Sequence, residues 1–478
     1  MKKFINVLAV VLALVMCLGL VVACGGEETP DEQNAAGTTT VGKTNPPKVT
    51  TPGVTTPTVT TPEVTTTADP EADRTGPSTV AVPENGVITT PAELQAVLNE
   101  GAPDKDYTVT ATELDMTGLK WNGLKDYSGT FDFGGCKIKN AASSLFISVK
   151  NGTVKNLVLA DSLYVYTNAK AKEDVNAKSG AVGNVYYSPI IRYATDITVS
   201  NVVVESSVKI VTAIWTEKSY SAGIVGIAEG SNVLVENCAF HGSLETDSNK
   251  VYGCAGIIGE IMSSNEASLD TEDNSASTAL VIDCVNTGSI TNLGYGQDSK
   301  VGGIIGRLCN AAAVRCFNSG KIVTNDKGQG AGIVAYMGNA AAIDRCLNVG
   351  EVVGGTGFTG GITGYSNGAK RWISNSVNLG AISATSSQIL GGFGQLKSSE
   401  VVTNCFNLST ATAAFATNAA GTPGPVDPAD NTTWLNGSGV ALNIVNCANL
   451  ATVDEIFTAI EAAVPGLFAK DNGSLKFA

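Results

Sequence analysis

Short apolar segments alternate with glycine, asparagine and serine along most of the chain after Ser221. One recurrent pattern reads Gly-Ile-Val-Gly, and its copies begin at Gly223, Gly256, Gly303, Gly332, Gly361 and Gly391. The apolar positions are mostly β-branched and lack the 3.6-residue periodicity of an amphipathic helix. We therefore predict short β-strands joined by tight turns.

A second pattern lies between the copies of the first. It places an apolar residue, a cysteine, an asparagine, a glycine and another apolar residue in fixed order, as from Val281 to Ile290. Its cysteine position holds Cys284, Cys316, Cys346, Ser376, Cys405 and Cys447, the last two in truncated copies. Glycines of the first pattern, Gly303, Gly332, Gly361 and Gly392, lie 29, 29 and 31 residues apart by subtraction. Such a period predicts a solenoid.

Each period holds about three strands that are too apolar to be half exposed, and coiling them into rungs stacked roughly 4.8 Å apart would bury them. The predicted fold is therefore all-β, a right-handed parallel β-helix. Equivalent residues then stack between rungs, so we expect a cysteine column that fills space in the core. We also expect an asparagine ladder joined by side-chain hydrogen bonds, made of Asn286, Asn318, Asn348, Asn378 and Asn407. Arg315 and Arg345 would stack as like charges, relieved by Asp344 or by an anion.

These repeats resemble the GLUG motifs of bacterial surface proteins, in which a Gly-Gly-Ile-Val-Gly strand precedes an Asn-Cys-Tyr-Asn-x-Gly strand. The segments Ala111 to Thr117 and Ser128 to Gly135 fit the opening of such domains, and Gly152 to Leu157 fits the rung that follows. One departure is Asp132-Phe-Gly-Gly, where the family usually has Asp-Gly-Asn-Gly. The resemblance covers about Val87 to Leu450. It implies a surface β-helix and carries over no catalytic residues.

Both ends of the repeat region carry helix signals. Thr90 and Glu93 form a capping box around Pro91, and Thr452 and Glu455 form a second box. We expect short helical caps at both ends of the solenoid, because an open terminal rung would expose strand edges. The predicted boundaries are 87–450 for the β-helix and 451–478 for the C-terminal helical cap.

The N-terminus has the architecture of a bacterial lipoprotein signal. Lys2 and Lys3 precede an apolar run, and Val21-Val22-Ala23-Cys24 resembles a lipobox. We predict a signal peptide over 1–23, lipid attachment at Cys24, and a disordered Thr/Pro-rich linker over 24–86 with a repeated Val-Thr-Thr-Pro. The mature protein would then lie on the extracellular face of the cell membrane, anchored by lipid.

Charge and composition exclude several classes of partner and functional site. The net charge is −14 and the 30 Lys and Arg form no dense cluster, so nucleic acid is not an expected partner. His241 is the single histidine, which excludes any site that needs two imidazoles. The eleven cysteines include no Cys-x-x-Cys, and removing Cys17 and Cys24 leaves nine, an odd number that argues against a complete disulfide framework. No cofactor is predicted.

Two insertions supply the candidate sites. Tyr164, Tyr166, Tyr186 and Tyr187, with Trp215 in the next segment, could stack on a sugar or a protein partner, or could instead pack the early rungs. Asp270, Glu272 and Asn274 could hold calcium, although a solvated acidic loop is the favoured interpretation.

The predicted function is adhesion, glycan binding or display by a non-enzymatic surface protein, with a glycan or a host or cell-envelope protein as partner. The alternative is a carbohydrate-active enzyme, a polysaccharide lyase or glycoside hydrolase, on the same scaffold. Asp283 and Asp344 are isolated in the repeats, and this absence of a repeat-phased acidic cluster favours the binder.

Overall fold

A computed structural model of the protein describes residues 76–167, 184–214, 218–248, 250–264, 279–294, 299–368, 370–384, 390–391, 400–408, 434–435 and 441–478. All of them belong to one compact unit, Ala68–Ala478. Four sheets, numbered I to IV, run along this unit, and in three of them each strand pairs with the equivalent strand of the next turn of chain. The predicted parallel β-helix is confirmed.

One turn of the chain, or rung, passes through the sheets in the order I, II, III, IV. Sheet I contains Val87–Ile88, Tyr107–Val109, Glu113–Asp115, Thr130–Asp132, Lys137–Lys139, Thr153–Ala160, Thr198–Val204, Val233–Glu236, Ala239–Phe240, Ala279–Ile282, Val285–Asn286, Ala312–Val314, Phe317–Asn318, Ala341–Asp344, Leu347–Asn348, Arg371–Ser374, Val377–Asn378, Glu400–Thr403, Phe406–Leu408, Trp434–Leu435, Ala441–Val445 and Ala448–Leu450. Sheet II contains Leu163–Thr167, Lys209–Ala213, Ser243–Thr246, Ser289–Asn292, Ile322–Val323, Val352–Val353 and Ile382–Ser383.

The remaining two sheets close the rung. Sheet III contains Val185–Tyr187, Ser219–Ala222, Val251–Ala255, Lys300–Gly302, Gln329–Ala331, Thr359–Gly360 and Leu390–Gly391. Sheet IV contains Phe146–Lys150, Ile191–Thr195, Val225–Gly230, Ile258–Ser263, Ile305–Cys309, Val334–Met337 and Thr363–Ser366. Inward-facing side chains from all four sheets form one continuous core along the axis.

The asparagine ladder is present as predicted. Each Nδ2 donates to Oδ1 of the next rung, at 2.6 Å from Asn286 to Asn318 and 2.7 Å from Asn318 to Asn348. The ladder continues through Asn378 and Asn407 to Asn449, with distances of 2.7 to 2.8 Å. The amides from Asn286 to Asn407 are buried, so the ladder satisfies polar groups that would otherwise be costly inside the solenoid.

The two sequence patterns interlock at this ladder. A Cβ on Gly303 would lie 2.5 Å from Oδ1 of Asn318 and too close to the carbonyl of Gly332. The glycine that opens each Gly-Ile-x-Gly segment therefore leaves room for the asparagine side chain and for the main chain of the next rung. The two motifs recur together because the asparagine side chain occupies the space that the glycine leaves open.

The cysteine column is buried, and all nine cysteines of the described residues are free. Its thiols do more than fill space. Sγ of Cys316 lies 3.5 Å from the carbonyls of Val314 and Val281, in contact with its own rung and the preceding one. Ser376 occupies the same column and donates to Ser374 at 2.7 Å. The position therefore favours a small side chain that can also donate a hydrogen bond.

The residue before each member of the cysteine column adopts a left-handed backbone conformation, which bends the chain between two strands of sheet I. Asp283, Arg315, Arg345 and Asn375 all adopt positive φ, between 49° and 56°. Arg315 forms a bidentate pair with Asp283 at 2.6 and 2.7 Å, and Arg345 donates to Asp344 at 2.6 Å. Each of the two arginines expected to stack as like charges thus has its own carboxylate.

Both helices begin at the predicted capping boxes. Helix α1, Pro91–Glu100, starts after Thr90, and helix α2, Val453–Ala463, starts after Thr452. Helix α1 buries Leu94, Val97 and Leu98 in the main core. Among the described residues, neither helix has the length and apolar character needed to cross a bilayer.

Helix α2 packs differently from helix α1. Its buried residues Ile456 and Ile460 join an apolar cluster with Leu347, Val377 and Phe406, whose side chains point outward from sheet I. An antiparallel hairpin, Phe468–Asp471 and Ser474–Phe477, completes this cluster and was not predicted. The C-terminal segment therefore covers the side of sheet I.

Candidate functional site

The predicted tyrosine site divides between the core and the surface. Tyr164 and Tyr166 are 0% and 2% exposed and belong to the core, which places them out of reach of a surface ligand. Tyr187 is half-buried, packs against the same core and lies 4.7 Å from the ring of Tyr166. Tyr186 points the other way, since neighbouring residues of a strand face opposite sides. Only Tyr186 of these four lies on the outer face of sheet III.

Tyr186 begins a row of aromatic side chains in a corner between the outer faces of sheets III and IV. Its ring lies 5.6 Å from Tyr193 of sheet IV and 5.3 Å from Tyr220 of sheet III. Farther along, Phe358 stacks at 4.9 Å on Tyr365 of sheet IV. Outward-facing side chains of two sheets can touch only where those sheets meet in a concave corner.

We call this row the aromatic seam. Its rings are Tyr186, Tyr193, Tyr220, Tyr252, Tyr336, Phe358 and Tyr365. Its polar members are Lys218, Glu229, Glu260, Lys300, Arg307 and Gln329. One column of sheet IV supplies most of its length, because Tyr193, Ile227, Glu260, Arg307, Tyr336 and Tyr365 are register partners on successive rungs.

Glycines allow the sharp corner behind the seam. A Cβ on Gly306 would lie 2.6 Å from the amide nitrogen of Cys254 and 2.9 Å from Cα of Gly253. Sheets III and IV therefore approach through their main chains at this point, which only glycine permits. The residue that follows each Gly-Ile-x-Gly segment is then directed into the corner.

A buried ion pair lies in the middle of the seam. Nη1 of Arg307 donates to Oε1 of Glu260 at 2.8 Å, with side chains 6% and 2% exposed. Burial raises the pKa of Glu260, and the guanidinium of Arg307 opposes that shift. Such a pair costs desolvation energy that its own attraction repays only in part. A position that tolerates this cost is a candidate for a functional role.

Three tyrosines of the seam are also held as neutral phenols by burial. Burial raises the pKa of Tyr186, Tyr193 and Tyr220 above the ordinary value for tyrosine. The hydroxyl of Tyr193 donates to Oε2 of Glu229 at 2.7 Å. The seam therefore combines apolar ring faces with hydroxyl groups that can form hydrogen bonds, a pairing suited to amphipathic ligands.

Most of this seam was not predicted from the sequence, although the repeat carries a signal for it. Ile227, Glu260, Arg307, Tyr336 and Tyr365 each follow a Gly-Ile-x-Gly-like segment directly. That position varies from Ile to Glu, Arg and Tyr, whereas the segment before it hardly changes. A variable bulky or charged residue at one fixed place in a regular repeat indicates a surface column.

Several predicted site residues lie outside the described residues. They are Cys24, Trp215, Asp270, Glu272 and Asn274. The predicted lipid attachment and the predicted calcium site therefore stay predictions.

Comparison with known proteins finds similar solved structures, among them the following two. A Bacteroides ovatus protein, described provisionally as an immunoglobulin A1 protease, is 16% identical over 82% of this chain and 91% of its own, with a TM-score of 0.36. A structure named IgA1 protease is 15% identical over 61% of this chain, with a TM-score of 0.40. This chain spans 21% of that second protein. No protein-family description and no curated protein matches the chain.

These names correct one expectation. A non-enzymatic protein was expected from the sequence, and that prediction is wrong against the comparison, because both of these structures are named as proteases.

Proposed function

We propose that the chain is a bacterial surface β-helix protein that binds a glycan along the aromatic seam, in keeping with its resemblance to GLUG-repeat proteins. The observation that carries the proposal is the continuity of the seam. Aromatic rings follow one another from Tyr193 to Tyr365, and Arg307 bridges Tyr252 and Tyr336. Each ring centroid lies between 4.5 and 5.9 Å from the next centroid or from Cζ of Arg307. Sugar rings bind proteins by laying their C–H faces on aromatic rings and hydrogen-bonding their hydroxyls to polar neighbours.

The spacing of the seam supports an extended glycan as the ligand. Tyr193, Ile227, Glu260, Arg307, Tyr336 and Tyr365 come from six successive rungs, so the column is roughly 24 Å long at about 4.8 Å per step. This step is close to the length of one sugar unit in an extended chain. Successive sugars would therefore meet equivalent positions of successive rungs.

The proposed location follows from the N-terminal sequence. The lipobox-like Val21-Val22-Ala23-Cys24 would place a lipid on Cys24, and the Thr/Pro-rich segment would hold the β-helix away from the membrane. A glycan or a glycosylated host or envelope protein would then reach the seam from outside the cell.

Glycan binding by the full chain, purified in detergent, tests this proposal. An array identifies the tightest-bound glycan, and titration calorimetry then compares Tyr186→Ala and Tyr193→Ala with the unaltered protein. We expect each substitution to raise Kd about tenfold or more, because each removes a stacking surface worth ~1.4 kcal/mol.

Phe457→Ala in helix α2 is the matched control, since Phe457 is a half-buried aromatic residue far from sheets III and IV in the fold. It should leave Kd unchanged. Unchanged β-sheet circular dichroism in all variants shows that the fold is intact. Equal Kd values for the seam variants and the control would overturn the proposal.

A further inference from the structure

We infer that the middle of the aromatic seam is a subsite for the carboxylate of an acidic sugar. This inference rests on the proposed glycan binding and names the class of glycan. Its centre is the half-buried ring of Tyr252, on the outer face of sheet III.

Three cationic side chains converge on this one ring. Nζ of Lys218, Nζ of Lys300 and Cζ of Arg307 each lie 4.5 Å from the ring centroid of Tyr252. Lys300 and Arg307 also lie 5.3 and 5.2 Å from Tyr336. Each contact is favourable with the ring, but the three cations repel one another.

The described part of the seam also holds two carboxylates: Glu260 pairs with Arg307 at 2.8 Å, and Glu229 accepts from Tyr193. The convergence of three positive groups around one ring is notable in a chain whose net charge is −14. A local positive field in an acidic protein attracts an anionic ligand to that point. A carboxylate bound between Lys218 and Lys300 would also reduce the repulsion between them.

A second observation points to a ligand with hydroxyl groups. Gln329 pairs in register with Lys300, so its side chain lies on the same outer face. It is 7% exposed, and among the described residues no donor reaches its Oε1. A buried acceptor without a donor costs about 1–3 kcal/mol, which a hydroxyl from a ligand would recover.

These features together select an acidic sugar. Its carboxylate meets Lys218 and Lys300, its ring face meets Tyr252, and a hydroxyl donates to Gln329. A neutral sugar would satisfy Gln329 and Tyr252 but would bring no negative charge to the point where the three cations converge. Low local dielectric strengthens the charged contacts, because Lys300 and Arg307 are each only 5% exposed.

The experiment compares one oligosaccharide in two charge states. Tetragalacturonic acid and its methyl ester share one backbone, and the ester lacks the charges. Calorimetry on the full chain should give a Kd for the acid at least about tenfold below that for the ester. Lys218→Gln and Lys300→Gln should each bring the ratio below about threefold and leave the Kd for the ester unchanged.

Lys321→Gln is the charge-matched control, because Lys321 forms an exposed pair with Glu351 at 2.7 Å away from the seam. It should leave the ratio unchanged. If Lys300→Gln unfolds, the half-buried Lys218 still provides the test. Equal affinity for acid and ester, or a ratio that survives Lys218→Gln, would overturn the subsite.

The proposed function fails in a different way. If the ester binds and Tyr186→Ala abolishes that binding, but the acid is not preferred, glycan binding holds and the subsite is wrong. If no glycan binds to the folded chain, both are wrong.

Discussion

Cys316 shows how a single residue serves the β-helix. Its thiol is buried and contacts two carbonyls at 3.5 Å, and burial raises the pKa of its column neighbours Cys284 and Cys346. A buried thiol with a raised pKa is a poor nucleophile, because the thiolate is the reactive form. Cys284 and Cys346 are therefore poor nucleophiles in the native state.

We expect Cys316→Ser to destabilise the protein by about 1 kcal/mol, the low end for such a change. The serine can donate to Val314 as Ser376 donates to Ser374, which offsets much of the cost of burying a hydroxyl. Urea unfolding monitored by circular dichroism measures the change. A loss above about 3 kcal/mol would show that the column requires sulfur. Rapid labelling of the native thiols by a disulfide reagent would show that the column is not buried.

At the scale of elements, the asparagine ladder joins the rungs. Asn348 accepts from Asn318 at 2.7 Å and donates to Asn378 at 2.8 Å, so it needs both an oxygen and an NH₂ group. Asn449 stands at the last described step and accepts from Asn407 at 2.7 Å. The two positions differ in whether donation to a following rung is required.

This difference predicts unequal effects of one substitution. Asn348→Asp should cost about 3 kcal/mol or more, because it removes a donor and buries a carboxylate. Asn449 is half-buried, and Asn449→Asp keeps the acceptor oxygen. This substitution should therefore lower the free energy of unfolding by less than about 1 kcal/mol. Equal losses in urea unfolding would show that the ladder does not carry the expected hydrogen-bond energy.

The repeat explains which elements could be predicted. A period of about thirty residues sets the rung, and Asn286 with its successors sets the register. The capping boxes set the helix starts at Pro91 and Val453. The terminal hairpin and the side-on packing of helix α2 could not be predicted, because they depend on outward residues such as Leu347 and Phe406 that no periodic pattern marks. The seam was missed for a related reason, since Tyr252 and Arg307 meet only through the corner between two sheets.

At the scale of the whole molecule, the N-terminal sequence predicts where the protein acts. Cys24→Ala removes the sulfur that would carry the lipid. We expect the variant to appear in the medium or to remain as the longer unprocessed form. Fractionation followed by immunoblotting measures both. A variant that remains membrane-bound at mature size would show that another feature anchors the protein.

The central claim is that the corner between sheets III and IV binds a glycan, and a crystal structure of the full chain with a saturating acidic oligosaccharide tests it most directly. We predict sugar rings lying on Tyr186 and Tyr252, with a carboxylate between Lys218 and Lys300. Oligosaccharide bound to a different face, with only solvent in the seam, would contradict the claim.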